Sequence, residues 1–257
     1  SVSIDCSSKR GEPGSDVVLL IGQSNMSGGG RDFDEALDAP NNPRILQWSR
    51  ENTIILAKEH LEHVDHVQGS NRVGLGTSFG RAYVTTLPEQ RSVLLVPAAE
   101  RGTALVDGPW SPTGGGLFDD AVNRLQDALA SNDGNCVAGV LWQQGERDAK
   151  NGQSEEDYQS TLIRLIDTLR SRVPEASQAP FVMGEFTPGW IAANVELTEP
   201  VLSAIRGIPA QVEYTAVAPS ETITTTNDGD LIHYDSAGLR QYGRLYADTL
   251  ADANANS

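Results

Sequence analysis

The strongest constraint on this chain is an alternation between two apolar periods. Continuous apolar runs fall at residues 16–21, 44–48, 92–96, 137–142 and 181–186, with a weaker one at 212–217. Short runs rich in Val, Ile and Leu read as strands buried on both faces. Longer segments between them carry helical spacing. Phe118, Val122, Leu125 and Leu129 recur through 117–130, and Tyr158, Leu162, Leu165, Ile166 and Leu169 through 155–172. Residues 77–87 and 236–251 are further helices, and 194–205 is a weaker one, because Pro200 should start or break a helix. Strand and helix in alternation predict a parallel sheet covered by helices on both sides. Functional loops then lie at the carboxyl ends of the strands. Residues 31–73 are the least regular part and read as loops around one short strand. With no repeat and no linker, residues 1–257 read as one domain.

Composition narrows the function. The 257 residues hold 19 Lys and Arg against 35 Asp and Glu, a net charge of −16. Nucleic-acid binding is a poor fit, because its affinity comes from basic side chains on phosphates. Adhesion to anionic membranes is disfavoured likewise. No apolar run approaches the roughly 18 residues needed to span a bilayer. The polar start at residues 1–6 fits a mature end left after cleavage, hence secretion or a periplasmic home. Cytoplasmic residence stays open. Cys6 and Cys136 either form a disulfide or remain separate thiols. No feature specifies an oligomer.

Chemistry is sought just after each apolar run. Gly22-Gln23-Ser24-Asn25-Met26 follows the first. Gly22 permits a tight turn, and the backbone N–H groups beyond it can hold an oxyanion near the serine. The segment is neither a phosphate-binding loop, lacking Gly-Lys-Ser/Thr, nor a Gly-x-Ser-x-Gly elbow, since Met26 takes the last position. A serine nucleophile needs a base. There are four histidines. His233 follows Asp230 by three residues, close enough for the carboxylate to orient the imidazole. His60, His63 and His66, with Glu59, Glu62 and Asp65 nearby, lack the His-Glu-x-x-His pattern of zinc sites. They read as a solvated, titratable surface patch, with no metal site. After the strand at 137–142, Gln144 can donate to an oxyanion, and Glu146 or Asp148 can supply a carboxylate. Gly76, before a helix, offers another backbone N–H.

Together these motifs resemble a family. Gly-Gln-Ser-Asn-Met, Gly-Leu-Gly-Thr-Ser-Phe-Gly (74–80), Trp-Gln-Gln-Gly-Glu-Arg-Asp (142–148) and Asp-Leu-Ile-His (230–233) resemble the SGNH hydrolases. More narrowly they resemble the branch of carbohydrate esterase family six and the sialic-acid-specific acetylesterases. Arg101-Gly102-Thr103 is similar to that branch's Gly-Gly-Thr segment, with Arg101 in place of a second glycine. The resemblance implies a three-layer α/β/α sandwich, SGNH or flavodoxin-like, around a mostly parallel five-stranded sheet. It implies Ser24 as nucleophile and His233 as base. The acidic member stays open between Asp230 and Glu146. The Ser24 and Gly76 N–H groups and the Gln144 side chain would form the oxyanion hole. Gln23, Asn25, Thr103 and Glu146 are the expected substrate contacts. The expected activity is removal of acetyl groups from sugars, acetylated xylan first, without metal or organic cofactor. The alternatives are O-acetylated sialic acid or general short-chain esters, and a non-catalytic carbohydrate-binding protein stacking sugars on Trp48, Trp110 and Trp190.

Overall fold

The computed structural model describes residues 6–255; residues 1–5, which include most of the polar start discussed above, lie outside the described residues, as do 256–257. The strands are β1 (Gly14–Gly22), β2 (Ile45–Trp48), β3 (Ile54–Leu56), β4 (Arg91–Pro97), β5 (Cys136–Gln143), β6 (Phe181–Gly184) and β7 (Thr215–Ala218). The helices are α1 (Ser24–Ser27), α2 (Glu35–Asp38), α3 (Gly76–Val84), α4 (Gly116–Ala130), α5 (Glu146–Lys150), α6 (Glu155–Arg172), α7 (Pro188–Ala193), α8 (Val195–Gly207) and α9 (Ser236–Ala255).

The strands form one sheet in the order β3-β2-β4-β1-β5-β6-β7, parallel except for β3, which runs antiparallel to β2. The expected sheet of five strands is therefore corrected to seven among the described residues. The weak run at 212–217 supplies β7. The unexpected strand, β3, lies inside the irregular segment and leaves Ile54, Ile55 and Leu56 exposed at the sheet edge.

Alternate residues of β1 feed opposite layers, as the period of two in a strand requires. Val17, Leu19 and Ile21 pack with α4, α6 and α8, while Val18 and Leu20 pack with α3 and α9. Each fully buried aliphatic side chain contributes roughly 1.5–3 kcal/mol. Helix α6 starts at Ser154, whose side chain accepts the Asp157 N–H, with acidic residues in the first turn and Arg170 and Arg172 in the last. Pro200 does not break α8. It removes one hydrogen bond near the helix start, while Val201, Leu202, Ala204 and Ile205 bury the apolar stripe. Cys6 and Cys136 form a disulfide that ties the turn Cys6–Lys9 to the start of β5. No helix among the described residues is long and apolar enough to cross a membrane.

The topology fixes where a site can form. From β1 the chain runs out to β2 and the edge strand β3, returns to β4 beside β1, then crosses to β5, β6 and β7 on the other side. The crevice at such a switch point opens beyond the carboxyl ends of the central strands. There the loops after β1, β4 and β5 converge.

Candidate active site

Ser24 begins α1 directly beyond β1. The turn is possible because residue 22 is glycine. Its φ is +138°, and a Cβ there would lie 2.1 Å from the Gln143 carbonyl oxygen. The Gln23 N–H donates to that same carbonyl at 3.0 Å, and the Met26 and Ser27 N–H groups fold back onto the Gln23 carbonyl. Ser24 is thus held at the start of a one-turn helix. No hydrogen bond within the described residues uses its own N–H.

The loop before α9 brings the imidazole. His233 Nε2 lies 3.0 Å from Ser24 Oγ, and Nδ1 lies 2.5 Å from Asp230 Oδ2. Asp230 Oδ1 accepts the backbone N–H groups of Ile232 and His233, which folds the carboxylate over its own loop. Partial burial works to raise the Asp230 carboxyl, but the bonds from His233 and the Ile232 N–H outweigh it and hold the group below the usual carboxylate range. The loop is tied down elsewhere: Asn227 Nδ2 donates to the Gly29 carbonyl at 2.8 Å, and the Thr187 hydroxyl, which caps α7, donates to the Leu231 carbonyl. A serine hydroxyl bonded to an imidazole that is bonded in turn to a carboxylate can pass its proton to the ring as the oxygen attacks a carbonyl.

Glu146 does not join this series. It is buried, and its Oε2 accepts from Asn25 Nδ2 at 2.7 Å rather than from His233. Burial pushes its carboxyl up, against the opposing effect of its own backbone N–H and of Asn25. Of the two carboxylates left open by the sequence, Asp230 is the one on the imidazole.

Two expected oxyanion donors have other neighbours. Gly76 faces the layer beneath the sheet, where a Cβ would meet Leu61 and Leu20 side chains, and no described contact joins it to Ser24. The Gln144 amide is already spent: Nε2 donates to the Thr103 carbonyl at 2.9 Å and to Asp148 Oδ2 at 2.6 Å, and Oε1 accepts the Tyr158 hydroxyl. Thr103 is held the same way, its hydroxyl donating to the Glu100 carbonyl and accepting from Trp110 Nε1. Asp148 anchors this wall, also accepting the N–H groups of Leu105 and Val106.

Two further groups lie in the segments beside the serine turn. Gly102, with φ +68°, sits in the loop after β4, the strand beside β1. Its carbonyl accepts from Arg147 Nε, and the Glu100 N–H bonds the Gly22 carbonyl at 3.2 Å. Gln23 uses Oε1 to accept the Arg147 N–H at 3.0 Å, and no described hydrogen bond occupies its Nε2.

The second group of histidines also departs from expectation. His60 and His63 are buried, not solvated. His63 Nδ1 accepts the Ala99 N–H at 3.0 Å, His60 Nε2 meets the Ser27 carbonyl at 2.7 Å, and His66 stacks on His60. The nearby carboxylates point elsewhere: Glu59 accepts the N–H groups of Gly74 and Thr77, and Asp65 accepts from the Ser27 hydroxyl and Arg101. This segment buttresses the Ser24 turn from behind. Trp48, Trp110 and Trp190 are all buried in the core, so none offers a face to a sugar ring.

Sheet, turn and loop thus set a serine, an imidazole and a carboxylate in hydrogen-bonded series beyond the strand ends. The chain belongs to the carbohydrate esterase family of sialic acid-specific acetylesterases, whose family model matches residues 14–252. Among related sequences, it is 34% identical over 173 residues to a probable carbohydrate esterase of Arabidopsis thaliana, covering 62% of this chain and 64% of that protein. It is 26% identical over 221 residues to a probable 9-O-acetyl-N-acetylneuraminic acid deacetylase of Escherichia coli K12, covering 68% of each. Its fold is similar to the crystal structure of NanS, with a TM-score of 0.83 at 17% identity over 95% of this chain and 98% of that one.

Proposed function

We propose that this protein is a serine esterase that removes O-acetyl groups from carbohydrates through an acetyl-enzyme. The observation that carries the reading is the series Asp230, His233, Ser24, with spacings of 2.5 and 3.0 Å, at the strand ends of a family member. Ser24 Oγ attacks the acetyl carbonyl while His233 Nε2 takes its proton. The tetrahedral oxyanion rests on the N–H groups of Ser24 and Gly102 and on Gln23 Nε2. Collapse breaks the ester bond, and His233 returns the proton to the leaving sugar oxygen. Water then attacks the acetyl-serine by the same route and releases acetate. This chemistry needs no metal or organic cofactor. The test is Ser24→Ala assayed for acetate release from p-nitrophenyl acetate and acetylated sugars. A loss of more than about 10³-fold is expected; undiminished turnover would overturn the assignment.

Two substrate readings differ in what supports them. Acetylated xylan or another neutral polysaccharide suits a chain of net charge −16, which repels anionic sugars. O-acetylated sialic acid is favoured by Arg101 and Arg147, which flank Gly102, and by the likeness to the E. coli deacetylase. Acetate release across a panel of neutral and anionic acetylated sugars separates the two. Acetyl against longer acyl esters separates both from a general short-chain esterase. The disulfide supports secretion or a periplasmic location, where such bonds persist.

A further inference from the structure

The turn between β5 and α5 grips both chain neighbours of Ser24. The Arg147 N–H donates to Gln23 Oε1 at 3.0 Å, and Glu146 Oε2 accepts from Asn25 Nδ2 at 2.7 Å. Gly145, at φ +135°, makes this turn, and a Cβ there would press on Val201 and Phe186. Asn25 then reaches across the site. Its Nδ2 also donates to the Ile232 carbonyl at 3.0 Å, and its Oδ1 accepts the Tyr234 N–H at 3.2 Å. Ile232 and Tyr234 are the two neighbours of His233. One fully buried amide therefore joins the residue after the serine to both residues beside the imidazole.

That join depends on which way the amide faces. Exchanging Oδ1 and Nδ2 would set oxygen against the Ile232 carbonyl and nitrogen against the Tyr234 N–H. A carboxylate oxygen beside Nδ2 accepts a hydrogen bond from nitrogen and repels an oxygen, so Glu146 selects the productive orientation. The carboxyl makes no bond to His233, and its Oε1 is buried with no partner among the described residues. Such a group costs stability; what it supplies is the orientation of Asn25.

We propose that Glu146 is a positioning residue, acting through Asn25 to hold the Ser24 turn and the His233 loop in register. The proposal rests on the reading of Ser24 and His233 as nucleophile and base. It differs from a triad role for Glu146 in one testable respect. A carboxylate that stabilises an imidazolium by its charge fails when converted to an amide. One that only accepts from Asn25 does not, because glutamine carries the same acceptor oxygen.

The experiment measures kcat and KM on p-nitrophenyl acetate for Glu146→Leu, Glu146→Gln, Asn25→Ala and the Glu146→Leu/Asn25→Ala double variant, each checked for folding by circular dichroism. Glu146→Leu should lose about 10- to 100-fold in kcat with KM within about twofold of the parent. Glu146→Gln should recover to within about fivefold of the parent, and adding Glu146→Leu to Asn25→Ala should cost less than about a further twofold. Glu146→Gln as inactive as Glu146→Leu, a change confined to KM, or independent losses in the double variant would each overturn the proposal. If Glu146→Leu or the double variant does not fold, Glu146→Gln decides alone: recovery supports the proposal and a loss on the scale of Asp230→Asn overturns it. Full activity in Ser24→Ala would instead remove the underlying esterase reading, so the two failures are distinguishable.

Discussion

His63 and His233 both sit in loops on the strand-end side of the sheet, and both have carboxylates close by in sequence. Their surroundings diverge. The His233 side chain is 32% exposed, with side-chain oxygens on both ring nitrogens, Asp230 on one and Ser24 on the other. His63 is 1% exposed, and its Nδ1 accepts a backbone N–H. What separates them is the direction each loop gives its carboxylates. The Asp230 loop folds its carboxylate onto its own N–H groups and aims the second oxygen at the imidazole. The segment around His63 sends Glu59 to the start of α3 and Asp65 to Ser27 and Arg101. Nearness of histidine and carboxylate in sequence is therefore not enough; the fold must also set the carboxylate on one ring nitrogen and a hydroxyl on the other.

Exchanging the two histidines for alanine is the sharpest way to break this contrast. His233→Ala should lose about 10³- to 10⁵-fold in kcat while the urea midpoint hardly moves, since a partly exposed loop side chain contributes little packing. His63→Ala should leave kcat of the folded protein within about threefold and cost about 2–4 kcal/mol, from a cavity and an unpaired Ala99 N–H. A stable, active His233→Ala, or a His63→Ala that is fully stable, would erase the distinction. Asp230→Asn comes next, with an expected loss of about 10²- to 10⁴-fold through a misdirected imidazole tautomer. A loss under about tenfold would show that Asp230 does not orient the base.

The sequence carried what is local. Five strands follow from continuous apolar runs, and the Ser24 turn and Asp-x-x-His pair are read within a few residues of chain. It did not carry what is decided at long range. The Gln144 amide is held by Thr103 and Tyr158, through contacts 41 and 14 residues away. Gly76 is closely packed because Leu20 and Leu61 converge on it, and nothing in its own neighbourhood says so. Strand β3 shows neither alternation nor burial, being three exposed residues held only by β2. The buried histidines escaped notice for a related reason. A polar, titratable stretch reads as surface, whereas here backbone groups of Ala99 and Ser27 satisfy it inside.

That buried pair gives the smallest effect and the one that tests the contrast without touching activity. Burial holds His63 well below the usual histidine range, helped by His60 and Arg124, and burial lowers His60 as well despite the Ser27 carbonyl. Both take up protons less readily in the folded protein than in the unfolded chain, where they do so below about pH 6.5. The unfolded state then binds more protons, so stability present above that pH is lost as pH falls, at up to about 1.4 kcal/mol per pH unit for each histidine. Glu59 and Glu146 work in the opposite sense. Burial raises their folded-state values, so their contribution is full below the ordinary carboxylate range and is lost as pH rises through the raised values. The two contributions oppose each other, so the histidine part is read as the difference between a variant that cannot titrate and the parent. His63→Asn keeps an acceptor for the Ala99 N–H but cannot titrate. Its urea midpoint should fall less between pH 7.5 and 5.5 than that of the parent. An unchanged acid slope in His63→Asn would mean that His63 is protonated in the folded state, and the division between a structural and a reactive histidine would have to be drawn elsewhere.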